Sequence, residues 1–230
     1  MTSSGARSFT ITNGEVVIAA YERCQIFMPQ LEQKHFYSAR RELNLLLGKF
    51  SNLQPNLWEV TLRSQTLTQG TATYTLSSDI VMILDAYRSI NQGQTNQTDI
   101  FMTSISRDDY AAYPVKQTQG PPTQYWFNRQ IVPTITTYPV ADGGGPYTLN
   151  YYAVLQMQDA NIPSGETPDV PYRWYDALVA GLAYSVSRIY APALESIRKT
   201  DAQDAWNIAA TQDTENAPVR IQPKFAGYFR

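Results

Sequence analysis

Few side chains in this sequence could do chemistry, and a structural role is the simpler interpretation of each. His35 is the single histidine, and no G-x-S-x-G element or other nucleophile motif is present to work with it. We therefore expect an ordinary surface or interface histidine. Cys24, the single cysteine, lies on an apolar helical stripe and is predicted to be a small core residue. No Cys/His spacing fits a zinc site, and we predict neither a metal nor another cofactor.

Carboxylates are the other chemical candidates. Residues 131–171 hold no lysine or arginine, and their acids are Asp142, Asp159, Glu166 and Asp169. A glycosidase needs only two acids several ångströms apart, so a virion-associated peptidoglycan or glycan hydrolase stays open as an alternative function. The adjacent Asp108 and Asp109 are predicted to cap or solvate a helical turn. Gly143 to Gly145 lacks the Lys-Ser/Thr pair and the helix of a phosphate loop, and we interpret it as a hairpin loop.

The composition limits the classes of partner. A formal net charge of −2 argues against a protein that grips nucleic acid electrostatically. No apolar run reaches the roughly 18 residues of a membrane-spanning helix, and the N-terminus lacks the apolar core of a secretory signal, so we expect synthesis in a reducing cytoplasm. The chain has sixteen tyrosines, and only 17% of its residues are charged. A high tyrosine content with few charges is typical of proteins whose surfaces become buried in an assembly.

Two helices are predicted before residue 57. Thr12 and Glu15 fit a capping box that starts the first helix, and we expect a disturbance at Pro29. Its apolar stripe, at spacings of three and four, comprises Val17, Ala20, Cys24, Phe27 and Leu31. The second stripe comprises Phe36, Ala39, Leu43, Leu46 and Phe50. The two stripes predict a helical pair that closes near Asn52 and Pro55.

From Trp58 the apolar period changes to two, which predicts strands. We expect them over residues 58–62, 72–76, 80–90, 123–129, 134–138 and 147–158. Gln69-Gly70 would be the turn between the first two strands, and the glycines from Gly143 would join the last two as a hairpin. Residues 92–98 are predicted to be a polar loop. The segment from Ser106 to Asp109 predicts a capped helical turn.

Two further helices are predicted after Pro171. The apolar side of the first comprises Tyr175, Leu178, Leu182, Val186 and Ile189. The small residues beside it would let another helix approach closely, among them Ala177, Ala180 and Gly181. Pro192 suits the first turn of the second helix. Its weaker apolar face comprises Leu194, Ile197, Ala205, Ile208 and Ala209.

These patterns predict an α+β fold. Residues 1–57 would form an N-terminal helical pair, and residues 58–171 an inserted, mostly antiparallel β domain. Residues 172–215 would form a C-terminal helical pair that packs with the first pair. Residues 216–230 would form an extended C-terminal arm.

The arm is basic, aromatic and interrupted by Pro218 and Pro223. Fully extended, residues 218–230 could reach roughly 43 Å, whereas a compact chain of this length has a radius of gyration of about 17 Å. We therefore expect the arm to bind another protein, although folding back onto its own core stays open as an alternative. The predicted partner-binding residues are Arg220, Ile221, Lys224, Phe225, Tyr228, Phe229 and Arg230.

An ordered series of motifs lies in residues 104–142: Ser-Arg-x-x-Tyr, a Lys, Gly-x-Pro, an aromatic strand that ends in Arg, and a Tyr-Pro step. They fall at Ser106, Arg107, Tyr110, Lys116, Gly120, Pro122, Tyr125, Trp126, Arg129, Tyr138 and Pro139. Because these motifs occur in this order, the chain resembles the head-to-tail adaptor proteins of short-tailed bacteriophages, also called connectors or tail accessory factors. The likeness extends from about residue 58 to the C-terminus, and residues 1–57 match only in being helical.

The resemblance implies a non-enzymatic structural protein of the virion neck or tail, made in the host cytoplasm. It would form a ring, typically of twelve copies, between the portal protein and the tail nozzle or tube protein. DNA would pass through the channel without sequence-specific binding, for genome retention and ejection. The arm would contact the portal or a neighbouring subunit, and subunits would pack through Ala177, Ala180, Gly181 and Tyr184. A purely β glycan-binding tail module, a third possibility, conflicts with the four helical stripes.

Overall fold

The computed structural model describes residue 5 and residues 9–53, 57–162 and 165–214. Its helices are α1 (Asn13–Arg23), α2 (Gln33–Leu53), α3 (Arg107–Ala112), α4 (Tyr175–Tyr190) and α5 (Glu195–Gln212). Its strands are β1 (Val60–Leu67), β2 (Thr73–Thr75), β3 (Ile80–Ile90), β4 (Thr98–Ser104), β5 (Gln124–Asn128), β6 (Thr134–Tyr138) and β7 (Tyr147–Leu155). The combination of helices with a mostly antiparallel sheet confirms the predicted α+β fold.

The four long helices enclose one apolar core. The capping box that starts α1 is present, because the Thr12 hydroxyl accepts the Glu15 N–H at 3.2 Å while the Glu15 carboxylate accepts the Thr12 N–H at 2.7 Å. Helix α4 is central, since α1, α2 and α5 all pack on it. Leu43, Leu178 and Leu182 are fully buried at these contacts. The helical layer therefore joins both ends of the chain.

Three helical expectations need correction. Helix α1 ends at Arg23, because Gln25 adopts a left-handed φ of 62°, and Phe27 is consequently 56% exposed instead of lying on the apolar stripe. On α4, Ile189 is also exposed. On α5 the predicted apolar face is divided, because Ala205 and Ala209 are buried but the isoleucines on it are not, namely Ile197 and Ile208.

The seven strands form one sheet in the order β1-β7-β3-β4-β5-β6-β2. All neighbours are antiparallel except β4 and β5, which run parallel. The two outermost strands, β1 and β2, are consecutive in the chain and joined by a short turn at Gly70. Because all seven strands contribute to a single inward-facing cluster, which includes Met102, Tyr125 and Ile135, the sheet curls around its own core.

The predicted strands and the predicted turn at Gln69-Gly70 are present, but the predicted hairpin across Gly143 is wrong. Strand β1 pairs with β7 and β2 pairs with β6, so the turn at Gln69-Gly70 joins strands that do not pair with each other. Strands β6 and β7 are likewise not a hairpin, because β6 pairs with β5 and β7 pairs with β3. The turn at Gly143 therefore carries the chain from one region of the sheet to another. The sequence did not predict strand β4.

The helices and the curled sheet have separate apolar cores. The helical core also includes Met157, Ala160 and Val170, which follow β7. The end of the predicted β insertion thus packs with the helices. The division at residues 58 and 171 stays a prediction.

Candidate functional site

The partner-binding residues predicted in the arm, Arg220, Ile221, Lys224, Phe225, Tyr228, Phe229 and Arg230, lie outside the described residues. The structure does describe the base of the arm. Arg173, in the 3-10 turn that precedes α4, donates from Nη2 to Asp213 Oδ1 at 2.5 Å, and the Asp213 side chain is only 1% exposed. The same guanidinium lies 5.9 Å from the centre of the Trp58 ring. Arg173 therefore holds the end of α5 beside the segment that leads into β1.

The small residues predicted to pack between subunits face this chain's own helices. Ala177 and Ala180 are each 1% exposed. A Cβ atom on Gly181 would lie 2.8 Å from Leu46 Cδ2, so the absence of a side chain lets α2 approach α4. Tyr184 is half-buried. Packing between subunits through these four residues stays a prediction, and in this arrangement Tyr184 has the most surface to offer.

A groove of about 560 Å³ runs between α2 and α5, with α4 as its floor. Its walls include Leu45 and Leu53, both more than half exposed, and the Trp206 ring. Its charged groups are Glu42, Lys49, Arg188 and Lys199. An apolar groove with an excess of positive charge suits a protein segment that carries acidic residues.

The motif residues of the resemblance gather around α3. Ser106 and Asp109 form a reciprocal capping box, in which Ser106 Oγ accepts the Asp109 N–H at 3.0 Å and Asp109 accepts the Ser106 N–H at 3.1 Å. At the other end of the helix, Lys116 donates to the carbonyl oxygens of Ala111 and Tyr113. The predicted capped turn is confirmed, and both of its ends are held by motif residues.

Aromatic stacking fixes α3 to the sheet. Tyr110 stacks on Trp126 with ring centres 5.5 Å apart, and Tyr113 stacks on Tyr138 at 4.0 Å. The Tyr113 hydroxyl also donates to the side chain of Gln124 at 2.5 Å.

The remaining motif positions shape the adjoining backbone. Gly120 lies against Pro139, which follows a cis peptide bond, and Arg129 donates to the Val81 carbonyl oxygen. Arg107 differs, because its side chain is 80% exposed. These motifs therefore build a rigid surface, and the Arg107 side chain projects from it into solvent.

His35 and Cys24 both have structural surroundings. The expectation was a surface or interface histidine, but His35 is buried within its own chain, and its Nδ1 accepts the Glu32 N–H just before α2. Its ring packs against Tyr21 and Tyr190. Cys24 is a core residue as predicted, and burial raises the pKa of its thiol, which donates to the Ala183 carbonyl oxygen.

Two of the predicted carboxylates, Asp142 and Asp169, hold turns and loops. Asp142 accepts the Gly144 N–H and the Tyr147 hydroxyl, and Asp169 accepts the Gln158 N–H. Glu59, which the sequence did not single out, lies beside Asp169. Burial, followed by the charge of Asp169 and a hydrogen bond to its side chain, raises the pKa of Glu59 to about 7.

Three of the four predicted acids, Asp159, Glu166 and Asp169, line one surface pocket of about 610 Å³. The Glu59–Asp169 pair does not support the hydrolase alternative. Two carboxyls in direct contact leave no room for a glycosidic bond between them, whereas a retaining glycosidase separates them by about 5 Å. In the part of the chain that the structure describes, no group of three or more His, Cys, Asp or Glu residues could hold a metal ion.

The outer face of the sheet carries an apolar surface that the sequence did not predict. Leu62 on β1 pairs with Tyr152 on β7, and Tyr87 on β3 pairs with Phe101 on β4, which places all four side chains on the face opposite the sheet core. Leu62 and Tyr152 are nearly half exposed and Phe101 is 66% exposed. We call these four residues the aromatic patch. Register alone brings them together.

A polar network holds the backbone beside the aromatic patch. Ser64 donates to Asn150 at 2.6 Å, Asn150 donates to Ser89 at 2.7 Å, and Ser89 donates to Asp99 at 2.6 Å. These hydrogen bonds cross β1, β7, β3 and β4 in sequence. The patch therefore lies on a rigid four-strand platform.

The family model described as SU10 adaptor protein matches residues 33–222. None of the curated proteins compared with the chain matches it. Among the described helices, none has the length and apolar character to cross a membrane.

Proposed function

Because the chain belongs to the SU10 adaptor protein family, we propose that it forms the ring that joins the capsid portal to the tail of a short-tailed bacteriophage. Membership of this family makes the chain a structural adaptor of a phage particle, associated with other virion proteins. The family match is the observation that carries the proposal. The ring, its partners and its channel are inferred from features of this chain.

The arm is the proposed contact with the portal. Its base is fixed, since Arg173 and Asp213 hold the end of α5. Beyond that point the sequence provides apolar side chains such as Phe225 and Phe229, together with cations such as Arg220 and Lys224, and no acidic residue follows Glu215. Apolar side chains gain free energy only when they are buried, and a fixed base limits the directions that they can search. Docking on the portal would satisfy both groups of side chains.

The helical layer is the proposed contact between copies. Its surface exposes large apolar side chains on two neighbouring helices, Leu45 and Leu53 on α2 and Ile197 and Ile208 on α5. A ring closes when one surface of a subunit binds a different surface of the next by a constant rotation. We propose that these helices supply such a heterologous contact, with Tyr184 at its edge, in a ring of typically twelve copies.

The charge of the chain suits a channel through which DNA slides. Each lysine or arginine held against a phosphate adds affinity through counterion release, so a strongly basic lumen would trap the genome. This chain has a net charge of −2. We therefore propose that the channel retains the genome and lets DNA pass during ejection without sequence-specific binding and without catalysis by the adaptor.

Deleting residues 218–230 tests the proposed role of the arm. The truncated protein should keep its fold, because the described core ends before this segment, but it should no longer sediment with purified portal rings. Full complexes with the truncated protein would refute the role of the arm.

Two pairs of matched variants test the chemistry of the arm. Phe225→Ser should weaken portal binding and Phe225→Tyr should preserve it, since tyrosine keeps the ring. Lys224→Glu should weaken binding more than Lys224→Arg, which keeps the charge. Equal affinities within both pairs would show that neither the aromatic ring nor the cation contributes to docking.

A further inference from the structure

The aromatic patch is a surface without a partner among the described residues. Leu62, Tyr87, Phe101 and Tyr152 come from four adjacent strands and span three strand spacings, or about 14 Å. Contiguous exposed apolar side chains on a rigid support usually mark a binding surface. The polar network beside the patch fixes its shape in advance, which lowers the entropic cost of binding.

We propose that the aromatic patch holds the C-terminal arm of the same chain until that chain joins its partner. The position of the base of the arm supports this occupant. Arg173 contacts both Asp213 at the end of α5 and the Trp58 ring, so the chain leaves the helical layer beside the start of β1. Leu62 lies four residues beyond Trp58, or about 13 Å along the strand.

The length of the arm is sufficient for this path. Residues 215–230 could extend over roughly 53 Å, which exceeds the distance to Leu62 and the width of the patch together. The arm carries Ile221, Phe225, Tyr228 and Phe229. Burial of these side chains against the patch would cover apolar surface on both sides of the contact.

Charge complementarity favours the sheet face over the groove of the helical layer. On the outer face of β1, β7, β3 and β4, the strand positions beside the patch include Asp99 and no lysine or arginine. Hydrogen bonds from Ser89 and Gln97 lower the pKa of Asp99, so its carboxylate is charged at neutral pH. The arm has three cations after Glu215 and no further acidic side chain. The groove instead carries an excess of positive charge and would repel the arm.

Thiol labelling of the free protein tests the proposal. Thr103→Cys places a thiol on exposed β4 beside Phe101 and leaves the patch intact. If the arm covers this surface nine-tenths of the time, deleting residues 215–230 should speed the reaction of the thiol at position 103 with a maleimide about tenfold. The native Cys24 is buried and serves as a slow internal reference. Ile197→Cys on exposed α5 is the control, and its labelling rate should not change on deletion.

Cross-linking identifies the occupant. Phe101→Cys combined with Phe225→Cys should form a disulfide within one chain, seen as a monomer of altered mobility on a non-reducing gel. A disulfide-linked dimer in dilute solution would overturn the assignment to the same chain and place the arm on a second copy. Equal labelling rates at position 103 with and without the arm would overturn the proposal altogether.

The inference rests on the proposed function only in placing portal docking after release of the arm, and the two can fail separately. If the arm slows labelling at position 103 but its deletion leaves sedimentation with portal rings unchanged, portal docking alone is refuted. If deletion of the arm abolishes sedimentation with portal rings but leaves labelling at position 103 unchanged, the resting site on the aromatic patch alone is refuted.

Discussion

Removing Arg173 should destabilise the helical layer, because it leaves a buried carboxylate without its counter-charge. The Asp213 side chain is 1% exposed and accepts from the guanidinium at 2.5 Å. Within the described residues its second oxygen has no hydrogen-bond partner, so Arg173 is its main compensation. Asp213 also follows the C-terminus of α5, where the helix dipole disfavours a negative charge. We choose Arg173→Met, which keeps the aliphatic packing and removes the charge.

The expected loss follows from the exposure of the two partners. Breaking a fully buried ion pair from one side costs about 3–5 kcal/mol. Arg173 is 32% exposed, so water already screens part of the interaction, and we expect Arg173→Met to cost about 2–3 kcal/mol. In a chain of this size that loss corresponds to a fall in Tm of roughly 4–12 °C. Asp213→Asn keeps an acceptor for Arg173 and removes the unfavourable charge, so it should cost only about 1 kcal/mol.

Urea denaturation followed by tryptophan fluorescence measures both losses, since Trp58 lies beside the guanidinium. The double variant closes the cycle. Because Arg173→Met harms the protein chiefly by stranding Asp213, adding Asp213→Asn should recover about 1 kcal/mol or more. Additive losses, or a loss below about 0.5 kcal/mol for Arg173→Met, would refute the reasoning.

Three further predictions concern single side chains. Gly181→Ala should change the free energy of unfolding by less than about 1 kcal/mol, because the gain in helix propensity offsets the displacement of Leu46 towards the groove. Gly181→Leu should cost about 1–3 kcal/mol. Equal urea midpoints for the two variants would contradict this packing. The pKa of Glu59, raised to about 7 by burial and by Asp169, means that the folded protein holds this proton more tightly than the unfolded chain, so stability should fall as the pH rises from about 5 to about 7. Glu59→Gln should remove that part of the fall, and parallel stability profiles from pH 4 to pH 8 would argue against the shift. Ser106→Ala should cost about 1 kcal/mol and Ser106→Thr much less in thermal unfolding, with similar losses excluding the cap.

Local signals in the sequence located the helices and strands well. The capping boxes at Thr12 and Ser106 each involve residues three apart, so the sequence contains both partners of the interaction. The apolar runs of β3 and β6 likewise predicted the observed bounds. The end of α1 was missed because Gln25 adopts a left-handed φ that glycine would have signalled and glutamine does not.

Pairing between strands was not predictable in the same way. A short turn suggests a hairpin, yet β1 pairs with β7 across the chain, and the choice depends on which side chains fit a common core. Strand β4 was missed because only Met102 among its residues is buried. The surfaces that these pairings create were missed for the same reason. Phe101 and Tyr152 become neighbours only through register, and Glu59 meets Asp169 only after the chain has folded.

The central position of α4 imposes an order on biosynthesis. Helices α1 and α2 pack on α4, which leaves the ribosome roughly 120 residues after α2 ends. At translation rates of about 5–20 residues per second, the two amphipathic helices wait on the order of ten seconds with their apolar stripes uncovered. All seven strands are complete by Leu155, so the sheet can close during that delay. Nascent subunits should therefore depend on chaperones for their first fifty residues, and overproduction should aggregate through this segment before it affects the sheet.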